Sequence, residues 1–164
     1  MKLKKFYTSR EVAVLTGLTA RQLQWWDAHR LFKAALASHR TDAGGFTERR
    51  YTPVDVLELQ VLADLRRRGF TVPRLRRLLG ALDEVFDVRL YEAIGEGGPL
   101  TLFIGGDQLY ARTLDGRLFN MDRPSEPLLM VGDPPPMREL TPRTRTRRVS
   151  GSERLPRGRR PAAG

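Results

Sequence analysis

The sequence predicts an α+β protein: a winged helix-turn-helix helical domain, followed by a small antiparallel β meander and a disordered basic tail. Three observations predict it. Threonine-led helix starts at Thr8 and Thr19 flank Gly17, and apolar runs between 100 and 131 are cut by glycine turns. Charge also falls in blocks: residues 1–82 hold 16 Lys and Arg against 7 Asp and Glu (+9), residues 83–136 are −6, and residues 137–164 are +7. Basic, acidic, basic order suggests that the first block meets a polyanion and the middle block does something else.

Thr8 stands three places before Glu11, with Tyr7 before it and Val12 in the core-facing position, which is a capping box with a hydrophobic staple. The helix it starts runs through Leu15 and stops at Gly17, a left-handed cap. Thr19 and Gln22 repeat the box, and Leu18 and Leu23 repeat the staple. Two short helices about a glycine turn are the helix-turn-helix layout. On the second helix Ala20, Leu23 and Trp26 share the inner side, while Arg21, Gln22, Gln24 and Trp25 face out. Neighbours on a helix point about 100° apart, so Trp25 and Trp26 cannot both be hidden.

From 33 to 50 the helical period fails. "ASHRTDAGGFTERRY" has the turn signals of a loop between short extended pieces, and reads as a wing carrying Arg40, Arg49 and Arg50. Thr52-Pro53 opens a third helix with proline at its first position, and Val54, Leu57, Val61, Leu62 and Leu65 form its stripe. Arg66, Arg67 and Arg68 sit at the negative end of its dipole before Gly69. Thr71 opens a fourth helix, with Leu75, Leu78, Leu79 and Leu82 inward and Arg74, Arg76 and Arg77 outward.

Residues 83–94 read as a short helix, with a strand start as the alternative. "GEGGP" breaks the chain. "LTLFI", "QLYARTL" and "RLFNM" then form a meander, with Asp115-Gly116 as a two-residue hairpin signal. "LLMV" at 128–131 is the expected fourth strand. The organisation is thus 1–82 for the basic helical domain, 83–133 for the connecting helix and sheet, and 134–164 for an Arg/Pro-rich tail with too little to bury.

The absence of cysteine excludes disulfides, thiolate metal sites and cysteine nucleophiles, and two histidines are too few for a histidine triad. No calcium-loop spacing, phosphate cradle or nucleophile elbow occurs, so neither catalytic residues, cofactor nor metal is expected. No apolar run reaches membrane length, and the expectation is a cytoplasmic protein of the bacterial nucleoid.

What remains is duplex recognition. A helix fits the major groove, where Arg21, Gln22 and Gln24 reach base edges, with Thr19 and Trp25 at phosphates. An outward indole beside an arginine can lie on the sugar-phosphate backbone and donate its N–H. The competing reading is that Trp25 covers a loop or a partner subunit. Asp27 is either an anchor for the wing through Arg49 or Arg50, or plain surface charge. His29 reads as a capping residue and His39 as a loop residue. Arg66–68, Arg74, Arg76 and Arg77 divide between phosphate contact and solvated helix ends.

"YTSREVAVLTGLTARQLQWWDAHRLF" and "RRYTPVDVLELQVLADLRRRGFTVPRLRRLL" resemble the DNA-binding domain of MerR-family transcription regulators. The slots are Arg21, Leu23, Trp25-Trp26, Asp27, Arg49-Arg50-Tyr51 and Gly69. The resemblance implies a homodimer that grips successive major grooves, with Arg50 and Tyr51 in the wing. It also implies that such a dimer bends and untwists promoter DNA for RNA polymerase. Tryptophans replace the more usual tyrosines, the wing is longer, and the family's long dimerisation helix is missing. The strands at 100–120 are therefore the expected subunit contact, with a self-contained domain packed on the fourth helix as the alternative. The alternatives are an architectural, excisionase-like DNA-bending protein that does not act on RNA polymerase, and a protein-interaction module.

Overall fold

The computed structural model describes residues 5–32, 34, 36–40, 47–95 and 97–142, with the backbone alone for 36–40, 47 and 48. Both expected capping boxes form. Helix α1, Ser9–Thr16, begins where Thr8 Oγ1 accepts the Glu11 amide at 3.2 Å and Glu11 Oε1 accepts the Thr8 amide at 3.0 Å. It ends at Gly17, whose φ of 82° is open to glycine and strained for other residues. Helix α2, Ala20–Ala28, starts on the Thr19–Gln22 box at 2.9 and 3.0 Å. Leu18 and Leu23, the second staple, are both buried.

A three-stranded sheet follows, in the order β1-β3-β2. β1 is Tyr7–Thr8, β2 is Leu36–Arg40 and β3 is Thr47–Tyr51, all antiparallel, with an irregular register between Leu36 and His39. The pairing of β1 was not expected from the sequence, because two residues are too few to show a period. It ties the chain just before α1 to the strand just before the third helix.

Helix α3, Pro53–Arg67, starts on Thr52 and helix α4, Val72–Glu84, on Thr71, with Gly69 between them at φ 101°. The stripe expected for α3 is only partly right. Val61, Leu62 and Leu65 are buried, but Val54 and Leu57 are half-buried, while Val56, Leu59, Ala63, Asp55, Glu58 and Gln60 are buried instead. The helix is covered from more than one side, since α1 and β3 pack on it together with the one-turn helix α5, Leu90–Ala93. The segment 83–94 therefore divides into the end of α4, a turn with Asp87 at φ 54°, and α5.

The second sheet has the order β6-β5-β4-β7. β4 is Leu100–Gly105, β5 is Gln108–Thr113 and β6 is Leu118–Asn120, as the apolar runs predict. Gly105 pairs with Gln108 around a two-residue loop whose first residue, Gly106, has φ 61°. The Asp115-Gly116 turn is a three-residue loop, not the expected two-residue one: the Thr113 amide donates to Arg117 O at 3.0 Å, with Gly116 left-handed at φ 88°.

The expected fourth strand at 128–131 is a correction. Those residues are exposed and irregular, touching the sheet through a Leu128 amide bond to Leu118 O at 2.7 Å. The turns through 121–126 carry the chain off the edge of β6 before the apolar run begins. The fourth strand is β7, Arg138–Glu139, on the opposite edge beside β4. The first part of the expected disordered tail is accordingly ordered: Leu140 is buried and its amide donates to Leu102 O at 2.9 Å. Gly105 makes room for this segment, because a Cβ there would stand 2.6 Å from Pro136 O. Residues 143–164 lie outside the described residues.

One hydrophobic cluster runs from Val12 to Leu140, crossing residue 82. Phe86 meets Phe119 edge to face at 5.1 Å, and Arg74 of α4 reaches Asp122 at 3.0 Å and Asp107 O at 2.6 Å. The second sheet is therefore fastened to the helices rather than separate from them.

Candidate nucleic-acid interface

Helix α2 places its side chains in two sets. Leu23 and Trp26 are buried, whereas Arg21, Gln22, Gln24 and Trp25 are exposed. Ala20, expected on the inner side, is exposed too. The 3.6-residue period explains the division between the tryptophans: one indole closes the core, and the next is 43% exposed.

Thr19 and Gln22 are partly committed. The Thr19 hydroxyl accepts the Gln22 amide, and Gln22 Oε1 accepts the Thr19 amide, so what they still offer a ligand is the threonine O–H and the glutamine NH2. The side chains of Arg21 and Gln24 form no hydrogen bond or ion pair with another described residue, and both are exposed.

Trp25 is not alone on the surface. The His29 ring lies against it, with centroids 3.8 Å apart and planes 17° from parallel. His29 Nδ1 is 2.9 Å from Trp25 O, and because a carbonyl only accepts, Nδ1 carries the proton. The expected capping role of His29 is thus present, and the stack is a contact the sequence reading missed. Its signal was the four-residue spacing, which places two side chains one above the other on a helix.

Asp27 anchors the β2–β3 hairpin: Arg49 Nε donates to Asp27 Oδ2 at 2.6 Å, with both side chains about a quarter exposed. Arg50 is half-buried, and its guanidinium sits 5.6 Å from the Phe6 ring. Arg40 ends β2 opposite Thr47, and its side chain lies outside the described residues.

Tyr51 is a correction. It is 1% exposed, with its hydroxyl bonded to the Ser9 side chain, so it belongs to the core and presents nothing to a duplex. Burial pushes its phenol above the usual 10.0, against the opposing Ser9 hydrogen bond. Successive strand residues point to opposite faces, so the half-buried Arg50 and the buried Tyr51 lie on opposite faces of β3.

Most of the other arginines serve the fold. Arg66 donates to Phe70 O at 2.9 Å, Arg67 to Thr16 O at 3.1 Å, and Arg68 to Asp64 at 2.9 Å. Arg76 donates to His29 O at 2.8 Å, tying α4 to the end of α2. Arg77 stays exposed. Elsewhere, Arg89 bonds Glu58 at 2.8 Å and Asp55 at 3.2 Å beneath an open cleft of about 510 Å³ rimmed by Asp83, Asp87 and Glu92. That negative rim is unsuited to phosphate. Among the described residues, no group of three His, Cys, Asp or Glu side chains could hold a metal, and no helix is long and apolar enough to cross a membrane.

A helix pair about a left-handed glycine, with a polar, cationic and aromatic face on the second helix, defines a helix-turn-helix DNA-binding protein. Residues 7–82 match the model of the MerR HTH family regulatory proteins. The matched segment, a little under half of the chain, is thus a MerR-type helix-turn-helix domain, of the kind carried by DNA-binding transcription regulators. No curated protein matches the chain.

Proposed function

We propose that the protein is a sequence-specific regulator that binds promoter DNA as a homodimer and distorts it, with RNA polymerase as the partner that reads the altered promoter. The observation that carries this reading is the exposed face of α2, where Arg21, Gln24 and Trp25 stand together above buried Leu23 and Trp26. In the major groove Arg21, Gln22 and Gln24 take base edges, while Thr19 and the indole N–H of Trp25 take phosphates. The β2–β3 hairpin acts as the wing. Arg40 and Arg50 meet flanking phosphates, and Arg49, held by Asp27, fixes the angle at which the hairpin leaves α2.

Subunit contact is assigned to the second sheet. Leu129 and Val131 are 93% and 94% exposed beside its β6 edge, an apolar surface that a second copy would cover. Deformation of the duplex is the expected outcome wherever the subunit contact spaces the two α2 helices differently from about 34 Å, one turn of B-DNA. The site of action is the nucleoid.

The test begins with fragments of genomic DNA recovered on the full chain and footprinted. One short palindrome at promoters is expected; arrays at recombination or segregation sites would replace this reading with the architectural one. On the selected duplex at fixed salt, Arg21→Ala and Trp25→Ala should each weaken binding by about 1–3 kcal/mol. Wild-type affinity in both variants would remove α2 from the interface.

A further inference from the structure

We propose that His29 is a positioning residue for DNA contact: it holds the Trp25 indole upright before any duplex arrives. The inference rests on the α2 reading above, but the stack is present in the chain without DNA.

The imidazole is fixed by a stack and one hydrogen bond, on a backbone that the His29 amide ties to the same carbonyl. Its ring covers one face of the indole at 3.8 Å, and both its Nδ1–H and its own amide donate to Trp25 O, each at 2.9 Å. Its carbonyl in turn accepts Arg76 from α4 at 2.8 Å. The line of contact therefore runs from the rigid four-helix core through Arg76 and His29 to Trp25. The neighbouring charges are Arg30, exposed, and Asp27, which is occupied by Arg49.

The physical consequence concerns rotamers. An exposed indole on a bare helix samples several orientations, and docking on a backbone must freeze one of them. The stack makes that selection in the free protein. With the stack in place Trp25 is still 43% exposed, so part of the indole remains available to a ligand.

The experiment uses the full chain and the duplex selected by wild type, at fixed pH and salt. His29→Ala should bind about three- to tenfold more weakly, and His29→Phe, which keeps an aromatic face, should return to within about twofold of wild type. His29→Ala at wild-type affinity, or His29→Phe as weak as His29→Ala, overturns the proposal. A second arm needs no DNA. An indole held by a stacked ring turns less freely, so the Trp25 fluorescence anisotropy of the free protein should fall in His29→Ala and not in His29→Phe. Trp25→Phe identifies the signal, and an unchanged anisotropy in His29→Ala also overturns the proposal. Failure of the α2 reading shows separately, as wild-type affinity in Trp25→Ala with the anisotropy difference intact.

Discussion

Replacing Arg89 with methionine tests how the acidic middle segment of the chain is fastened to the helix-turn-helix domain. The side chains of Asp55 and Glu58 are 1% and 4% exposed, and the Arg89 guanidinium, itself 52% exposed, bonds both. Hydrogen bonding to Glu58 raises the pKa of Arg89 above the usual arginine range, with desolvation opposing. Without it, Glu58 keeps the Tyr91 amide at 2.9 Å and Asp55 keeps the Thr52 amide at 3.0 Å. Removing one partner of a buried pair costs about 3–5 kcal/mol. Half exposure of the guanidinium screens part of that, which leaves about 2–3 kcal/mol. For a chain of this size the midpoint of thermal unfolding should fall by about 5–10 °C. Urea unfolding of Arg89→Met, Glu58→Gln and the double variant gives the coupling between them, expected at about 1 kcal/mol or more. A loss under about 0.5 kcal/mol for Arg89→Met would refute the idea that this cluster carries the joint.

Arg30 holds φ 56°, a left-handed conformation that disfavours side chains, so Arg30→Gly should stabilise the protein by about 0.5–1 kcal/mol in urea unfolding despite the freer unfolded chain. A loss of stability would show that the arginine contributes more than its strain. Tyr51 has a folded pKa above its unfolded 10.0, so its neutral form favours the fold. Its contribution is complete below pH 10.0 and is lost as pH rises through the folded value. Tyr51→Phe should flatten that alkaline fall, and parallel pH curves for the two proteins would contradict the assignment. Leu129→Asp with Val131→Asp should convert the proposed dimer to monomer in sedimentation; an unchanged dimer would move the subunit contact elsewhere.

Local chemistry was legible in the sequence and coverage was not. Thr8, Thr19, Thr52 and Thr71 each announce a helix that forms, because a capping hydroxyl and the amide it accepts lie within one turn. The buried set on α3 was misread because α5 and β3 cover it, and no period within α3 records what packs on it from elsewhere. β7 has two charged residues and owes its place to the open edge of β4 and one buried leucine, Leu140. The run at 128–131 looked like a strand for the opposite reason: it has the composition, but the turns before it carry it away from the β6 edge after the one bond from Leu128 to Leu118 O. On β3 the motif pointed to Arg50 and Tyr51 together, and strand alternation placed them on opposite faces.

The basic charge of the first 82 residues shows the limit of reading function from composition. The +9 balance suggested a polyanion partner. Yet Arg49, Arg66, Arg67, Arg68, Arg74 and Arg76 all donate to carbonyls or carboxylates of the chain itself. A guanidinium so engaged still contributes to the field that draws DNA in, but it is not free to move onto a phosphate. On the proposed reading, close contacts fall first to Arg21 and to Trp25 with its supporting imidazole. The logarithmic salt dependence of binding counts phosphates neutralised, so its slope should be shallower than the arginine content suggests. Arg21→Ala should change that slope by about one, while Arg68→Ala should leave it alone. An Arg68→Ala slope that falls as far as that of Arg21→Ala would place the end of α3 on the duplex.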